Sequence, residues 1–189
     1  TLKSEQSYYP IEGNSSTTVE QMVRFYNKYC GSRQYPSSEF SRGGASTIEE
    51  LARIFYQEAN DEGIKVEVAW AQTMLETNFL AYGGQVKVEQ FNFAGLGAVD
   101  GGAAGASFAT VQMGVRAQIQ HLKAYANASI TSNALKHTCV DERFKYVTKG
   151  CSPYVEWLGQ QENPYGKGWA TSAGYGMSIR ALIQKIMNS

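Results

Sequence analysis

Long apolar runs, an excess of charge and metal-binding residue patterns are all missing from this chain of 189 residues. No run approaches the roughly 18 consecutive apolar residues needed for a membrane span. Seventeen basic and seventeen acidic residues cancel, which argues against nucleic acid as the main partner, since phosphate binding needs a concentrated positive patch. Long-range attraction to an acidic polymer is equally weak, so any such substrate must be held by groove contacts. The three cysteines, Cys30, Cys139 and Cys151, show no Cys-x-x-Cys spacing, and His121 and His137 complete no metal pattern with them. We therefore expect no metal and no cofactor. Cys139 and Cys151 flank a short segment that a disulfide could close in an exported protein, and unpaired buried thiols fit as well. Thr1 with no leader before it fits a processed or trimmed product whose export signal is not visible.

What is present is an ordinary globular balance: 43% hydrophobic and 18% charged residues, with twelve tyrosines suited to packing or to stacking on sugars. Residues 1–45 read as an N-terminal extension with one helix. Thr17-Thr18-Val19-Glu20 supplies a capping signal for a helix through about Tyr29. Residues 31–46 read as loop. Ser46-Thr47-Ile48-Glu49-Glu50 opens a second helix that stops at Gly63, with Leu51, Ile54, Phe55 and Ala59 inward. A third runs from Gly63 to about Glu76. Phe79 to Ala109 holds seven of the nineteen glycines among single apolar residues, a pattern that predicts short strands and turns. Val111 to Ala128 returns to helical period with Val111, Val115, Ile119 and Leu122 as its buried stripe. A short helix at Tyr154–Leu158 and a terminal one at Tyr175–Met187 complete a mainly α (α+β) chain with a small irregular β-lobe. The domain proper spans 46–189.

Glu76 carries the chemistry. Val68, Ala69, Gln72 and Glu76 stand at i, i+1, i+4 and i+8, so the carboxyl shares a stripe with core-type residues at the C-terminal end of a helix. Desolvation and the negative helix end both raise a carboxyl pKa there, which is what a general acid needs. The loop Gln90-Phe91-Asn92-Phe93-Ala94-Gly95-Leu96-Gly97 adds amides, aromatic rings and glycines that suit an N-acetyl sugar. His121 reads as a satisfied core or surface histidine.

These residues resemble the glucosaminidase domain of bacterial cell-wall hydrolases (glycoside hydrolase family 73). Ala69, Gln72, Glu76 and Thr77 match the end of its catalytic helix. Gly83-Gly84, Gln90-Phe91-Asn92-Phe93-Ala94-Gly95, Asp141-Glu142-Arg143-Phe144, Trp169-Ala170 and Tyr175-Gly176 follow in order. The resemblance implies a lysozyme-like fold whose lobe forms a substrate groove, and cleavage of the β-1,4 bond after N-acetylglucosamine in peptidoglycan glycan strands. It implies Glu76 as general acid, Tyr175 as an aromatic near the cleft, and a groove lined by Asn92 and Phe93. Gln72, Glu89, Gln90 and Trp169 join these as candidate binding residues. Phe91 departs from the family's usual Asn and bears on groove shape. Many members carry a second acid in the lobe, but Gly101 to Gly114 contains no Asp or Glu. Asp100 and Glu89 are the remaining candidates, and substrate assistance by the N-acetyl group is the favoured route. The implied setting is a secreted or wall-associated, monomeric autolysin-type domain. A lytic transglycosylase or muramidase, or a silent glycan-binding module, are the alternatives on the same fold.

Overall fold

The computed structural model describes residues 7–98 and 102–189. Six α-helices form it: α1 (Val19–Tyr29), α2 (Ser37–Arg42), α3 (Ile48–Glu62), α4 (Val66–Glu76), α5 (Val111–Ala126) and α6 (Tyr175–Met187). The start signals read from the sequence operate as such. Thr18 caps α1 through a reciprocal capping box with Gln21, and Thr47 accepts from the Glu50 amide at the start of α3. Gly63 ends α3 in the left-handed conformation, with φ +68°.

α4 is the centre of the molecule. Every residue from Val66 to Met74 is buried, so the helix lacks a solvent face and reads as apolar almost throughout. It packs against α3, α5 and α6, while α1 crosses α3 and α6. One core joins Met22, Phe25 and Tyr26 of α1 and Phe40 of α2 to Leu51, Phe55, Trp70, Ile119, Ile179 and Ile183. α1 and α2, which precede residue 46, thus share the core of the helices that follow.

Two sequence expectations change, and one left open is decided. The segment 31–46 contains α2, whose single buried residue, Phe40, meets the rings of Phe91 and Phe93 at 6.2 and 5.5 Å. A six-residue helix with one apolar anchor has no periodicity to read, and its stability comes from that tertiary contact. The described residues of 79–109 form turns, a 3-10 turn at Val88–Gln90 and one isolated bridge, Ala98 to Ala104, rather than strands. Their glycines serve tight loops held by side-chain bonds. The three cysteines carry free thiols, so the Cys139–Cys151 disulfide is not formed.

The lobe and the long segment after α5 are fixed by buried polar groups instead of ladders. Gln120 accepts from the Val140 amide at 2.8 Å and donates to the Thr138 carbonyl at 3.1 Å. Glu58 takes a fork of bonds from Arg116, at 2.8 and 3.1 Å, and a third from Gln112. Glu67 accepts the hydroxyls of Tyr9, Ser15 and Thr17, tying the N-terminal segment to the start of α4. Each of these buried acids is surrounded by donors, as burial of charge requires. Arg116→Ala should therefore leave Glu58 buried and uncompensated and lower stability by about 3–5 kcal/mol in urea denaturation.

Candidate active site

Glu76 is the last residue of α4, and the chain beyond it turns in an unusual way. Asn78, Phe79 and Leu80 occupy the left-handed region in succession, with φ of 51°, 54° and 64°. Such conformations are costly without glycine and persist where the surroundings enforce them. Here the Thr77 hydroxyl donates to the Thr73 carbonyl at 2.7 Å and accepts from the Leu80 amide at 2.9 Å. Leu80 is buried, and Phe79 packs 5.6 Å from Phe25. The turn leaves Glu76 at the edge of the helical body and returns Tyr82 beside it.

Two clefts meet at this carboxyl. One, of about 330 Å³, is lined by Glu76, Thr77, Tyr82, Gln85, Asn92 and Gly95 among others. The second, of about 300 Å³, is lined by Glu76, Ala170, Ser172, Tyr175 and Ser178 among others. Together they make a trough that passes over Glu76. By surface area Glu76 is an exposed residue, yet protein crowds its carboxyl on most sides. For a group on the floor of an open trough both hold, and the crowding governs the proton. Desolvation raises the Glu76 pKa above the ordinary carboxylate value, and the hydrogen bond from Tyr175 partly opposes it.

Behind the carboxyl lies a chain of buried polar groups with a defined direction. The Gln118 amide nitrogen donates to the Ala69 carbonyl at 3.1 Å, an acceptor that fixes which end of the amide is which. The same nitrogen donates to Gln72 Oε1 at 3.0 Å, and Thr73 donates to Gln118 Oε1 at 3.0 Å. Gln72 must then present its NH₂ to the Tyr175 oxygen, at 3.0 Å, and Tyr175 gives its own proton to Glu76 Oε1 at 2.5 Å. Aligned bonds of this kind reinforce one another. Because Oε1 is engaged as an acceptor, the acidic proton of Glu76 belongs on Oε2. That oxygen faces Gly95, where an added methyl would lie 3.4 Å away in a backbone with φ +67°.

The other residues singled out from the sequence fall into distinct places. Gln72 and Tyr175 join Glu76, Gln72 from a fully buried position where no sugar reaches it. Asn92 is buried at the wall of the trough and spends its side chain on the loop, donating to the Leu96 and Ala106 carbonyls and accepting from the Leu96 amide. Gln90 likewise braces the lobe through the Ala104, Gly105 and Ala106 carbonyls. Trp169 donates to the Ala94 carbonyl and meets the His121 ring edge-on at 4.6 Å. Phe93 does not line the groove: it is fully buried against Phe40 and Phe55. Phe91 also turns inward, toward Phe40, so its exchange for Asn acts on the core rather than on the trough surface. Glu89 is exposed and lines neither cleft. Asp100 lies outside the described residues.

Sequence reasoning passed over Gln118, Thr73 and Tyr82. Gln118 had a legible signal: it stands at i+3 from Val115 and i−4 from Leu122, a glutamine on the buried stripe of α5. His121 is a buried histidine, bonded through Nδ1 to Asp141 at 2.6 Å.

A protonatable carboxyl on the floor of a trough, aimed by a phenol and a file of amides, is the equipment of a glycosidase. The family described as mannosyl-glycoprotein endo-beta-N-acetylglucosaminidase (Glucosaminidase) matches residues 52–188, and the chain belongs to this family. A Borreliella burgdorferi protein described as uncharacterized is 33% identical over 140 residues. That match takes in 74% of this chain and 63% of the relative, so the chain spans less than two-thirds of that protein's length. No solved structure matches it.

Proposed function

We propose that the protein is an exported peptidoglycan hydrolase that cleaves the β-1,4 bond on the reducing side of N-acetylglucosamine. The observation that carries this reading is the Glu76 carboxyl, raised in pKa by burial and open to a trough through one oxygen. Glycan strands of the wall and the mannosyl-glycoprotein substrate for which the family is named share this linkage after N-acetylglucosamine. Two clefts that meet at Glu76, of about 330 and 300 Å³, give room for sugars on both sides of the cleaved bond.

In this scheme Glu76 Oε2 gives its proton to the glycosidic oxygen as that oxygen leaves the anomeric carbon. Among the described residues no second carboxylate lines either cleft. The N-acetyl carbonyl oxygen of the substrate therefore closes on the anomeric carbon, forming one C–O bond as the glycosidic one breaks. A water then opens the resulting oxazolinium ring and returns a proton to the Glu76 carboxylate. Tyr175 stabilises the carboxylate form through its hydrogen bond, and Gln72 and Gln118 hold Tyr175 in the donating orientation.

Mass spectrometry of digested sacculi tests the reaction. Fragments ending in reducing N-acetylglucosamine are expected. An anhydro-muramic end would make the protein a transglycosylase, reducing muramic ends a muramidase, and intact strands a binding module.

Tyr175→Phe removes the bond that lowers the Glu76 pKa, so that pKa rises further. Activity that needs the protonated acid is lost as pH rises through this value, and the basic limb of the pH–rate profile should move to higher pH. Gln118→Leu deprives Gln72 Oε1 and the Thr73 hydroxyl of their partners. It should cost about 1–3 kcal/mol in denaturation and shift the same limb in the same direction by less.

A further inference from the structure

We propose that the cleft beside Asp141–Tyr146 holds the peptide branch carried by the wall sugar adjoining the cleaved bond, a use that rests on the peptidoglycan reading. The loop 92–98 separates two spaces. Gly95 and Ala98 face the Glu76 cleft, whereas Leu96 and Gly97 line a second cleft of about 330 Å³ with Gly105, Phe108, Glu142 and Arg143. This continues into a space of about 660 Å³ that shares Asp141, Glu142 and Arg143 and extends to Tyr146. A branch leaving a sugar in the trough needs to cross that one loop to enter it. Gly95 and Gly97 put no side chain in the way, and Arg143 Cδ would be 3.8 Å from a methyl on Gly97.

The chemistry around this cleft is of both signs. Arg143 and Lys145 flank the Tyr146 ring, at 5.9 and 5.1 Å from its centroid, and that ring is 70% exposed. Glu142 is exposed beside them. Neither Arg143, Lys145 nor Glu142 has an ion-pair partner among the described residues. The Arg143 backbone is fixed instead, its amide donating at 3.0 Å to Asp141, which the buried His121 also holds. A short peptide with free carboxylates and one amine matches this set: the guanidinium and ammonium take carboxylates, and Glu142 takes the amine of a diamino residue. The sugar rings themselves carry no charge to offer them.

Binding measured in a Glu76→Gln background separates this proposal from the catalytic one. The probes are peptide-bearing sacculi and the same glycan stripped of peptide by an amidase, which keeps one lactyl carboxylate per muramic unit, held close to the sugar ring and too short to cross the loop. The parent should prefer the peptide-bearing form. Arg143→Gln should weaken that binding by about tenfold and leave binding to stripped glycan unchanged. Tyr146→Ala, at a mostly exposed position, should reduce the same preference and serves if Arg143→Gln misfolds. Equal binding of both forms by the parent, or an equal loss on both forms in the variants, overturns the proposal. Peptide-dependent binding by a wild-type protein that cuts no strand would sink the hydrolase reading and leave this one standing.

Discussion

Glu76→Gln should reduce turnover on peptidoglycan by about 10²–10⁴-fold, the range that a positioned general acid contributes. The amide keeps the size of the carboxyl and can still accept from Tyr175 through its oxygen, so the trough and its glycan binding should survive. Stability should move the other way. A carboxyl whose folded pKa lies above its unfolded value favours the native state below the unfolded pKa, and that contribution is lost as pH rises through the folded pKa. Since the Glu76 pKa is raised by burial, the wild type forfeits stability on going from acid to neutral pH. Glu76→Gln should be the more stable protein at neutral pH, with the gain vanishing in acid, as thermal denaturation at two pH values will read. A catalytic residue that costs stability where it works is a common trade. Near-normal rates in this variant would remove Glu76 from the acid's role.

Phe93→Ala should lower stability by about 3–5 kcal/mol, the usual cost of emptying a fully buried phenylalanine site. The ring meets Phe40 at 5.5 Å and Phe55 at 5.7 Å, and its removal leaves a cavity between α2 and α3. Glycan affinity measured under conditions where the variant is still folded should be nearly unchanged. A sugar-stacking Phe93 would give the opposite pair of results, with affinity lost and stability kept. Urea denaturation beside a sacculus-binding assay distinguishes the two.

Helices α1, α3, α5 and α6 were legible because their apolar periods and caps are local properties, as with Thr18, Thr47 and Gly63. Glu76 was legible for a related reason: a carboxyl at the end of an apolar helix and before a glycine-rich loop breaks the surrounding pattern. Sequence spacing failed where placement depends on distant packing. Phe93 and Asn92 are neighbours in a loop that looks like a binding surface, yet one is core and the other is a brace. Phe93 is drawn inward by Phe40, from a helix too short to have a period, and Asn92 by the Leu96 and Ala106 carbonyls. The left-handed turn at Asn78–Leu80 was invisible because no glycine marks it; the Thr77 hydroxyl and the burial of Leu80 impose it instead. Gln118 shows the middle case. Its place on an apolar stripe was visible, but its partners on α4 were not, because they belong to another element.

Burial keeps a proton on Glu76 above the ordinary carboxylate range while Tyr175 limits the rise. Carbon-13 NMR titration of the Glu76 carboxyl, in the wild type and in Tyr175→Phe, measures this directly. A pKa above that of a solvated glutamate is expected in the first and a higher one still in the second. A wild-type value at or below the solvated one, or a fall in Tyr175→Phe, would contradict it.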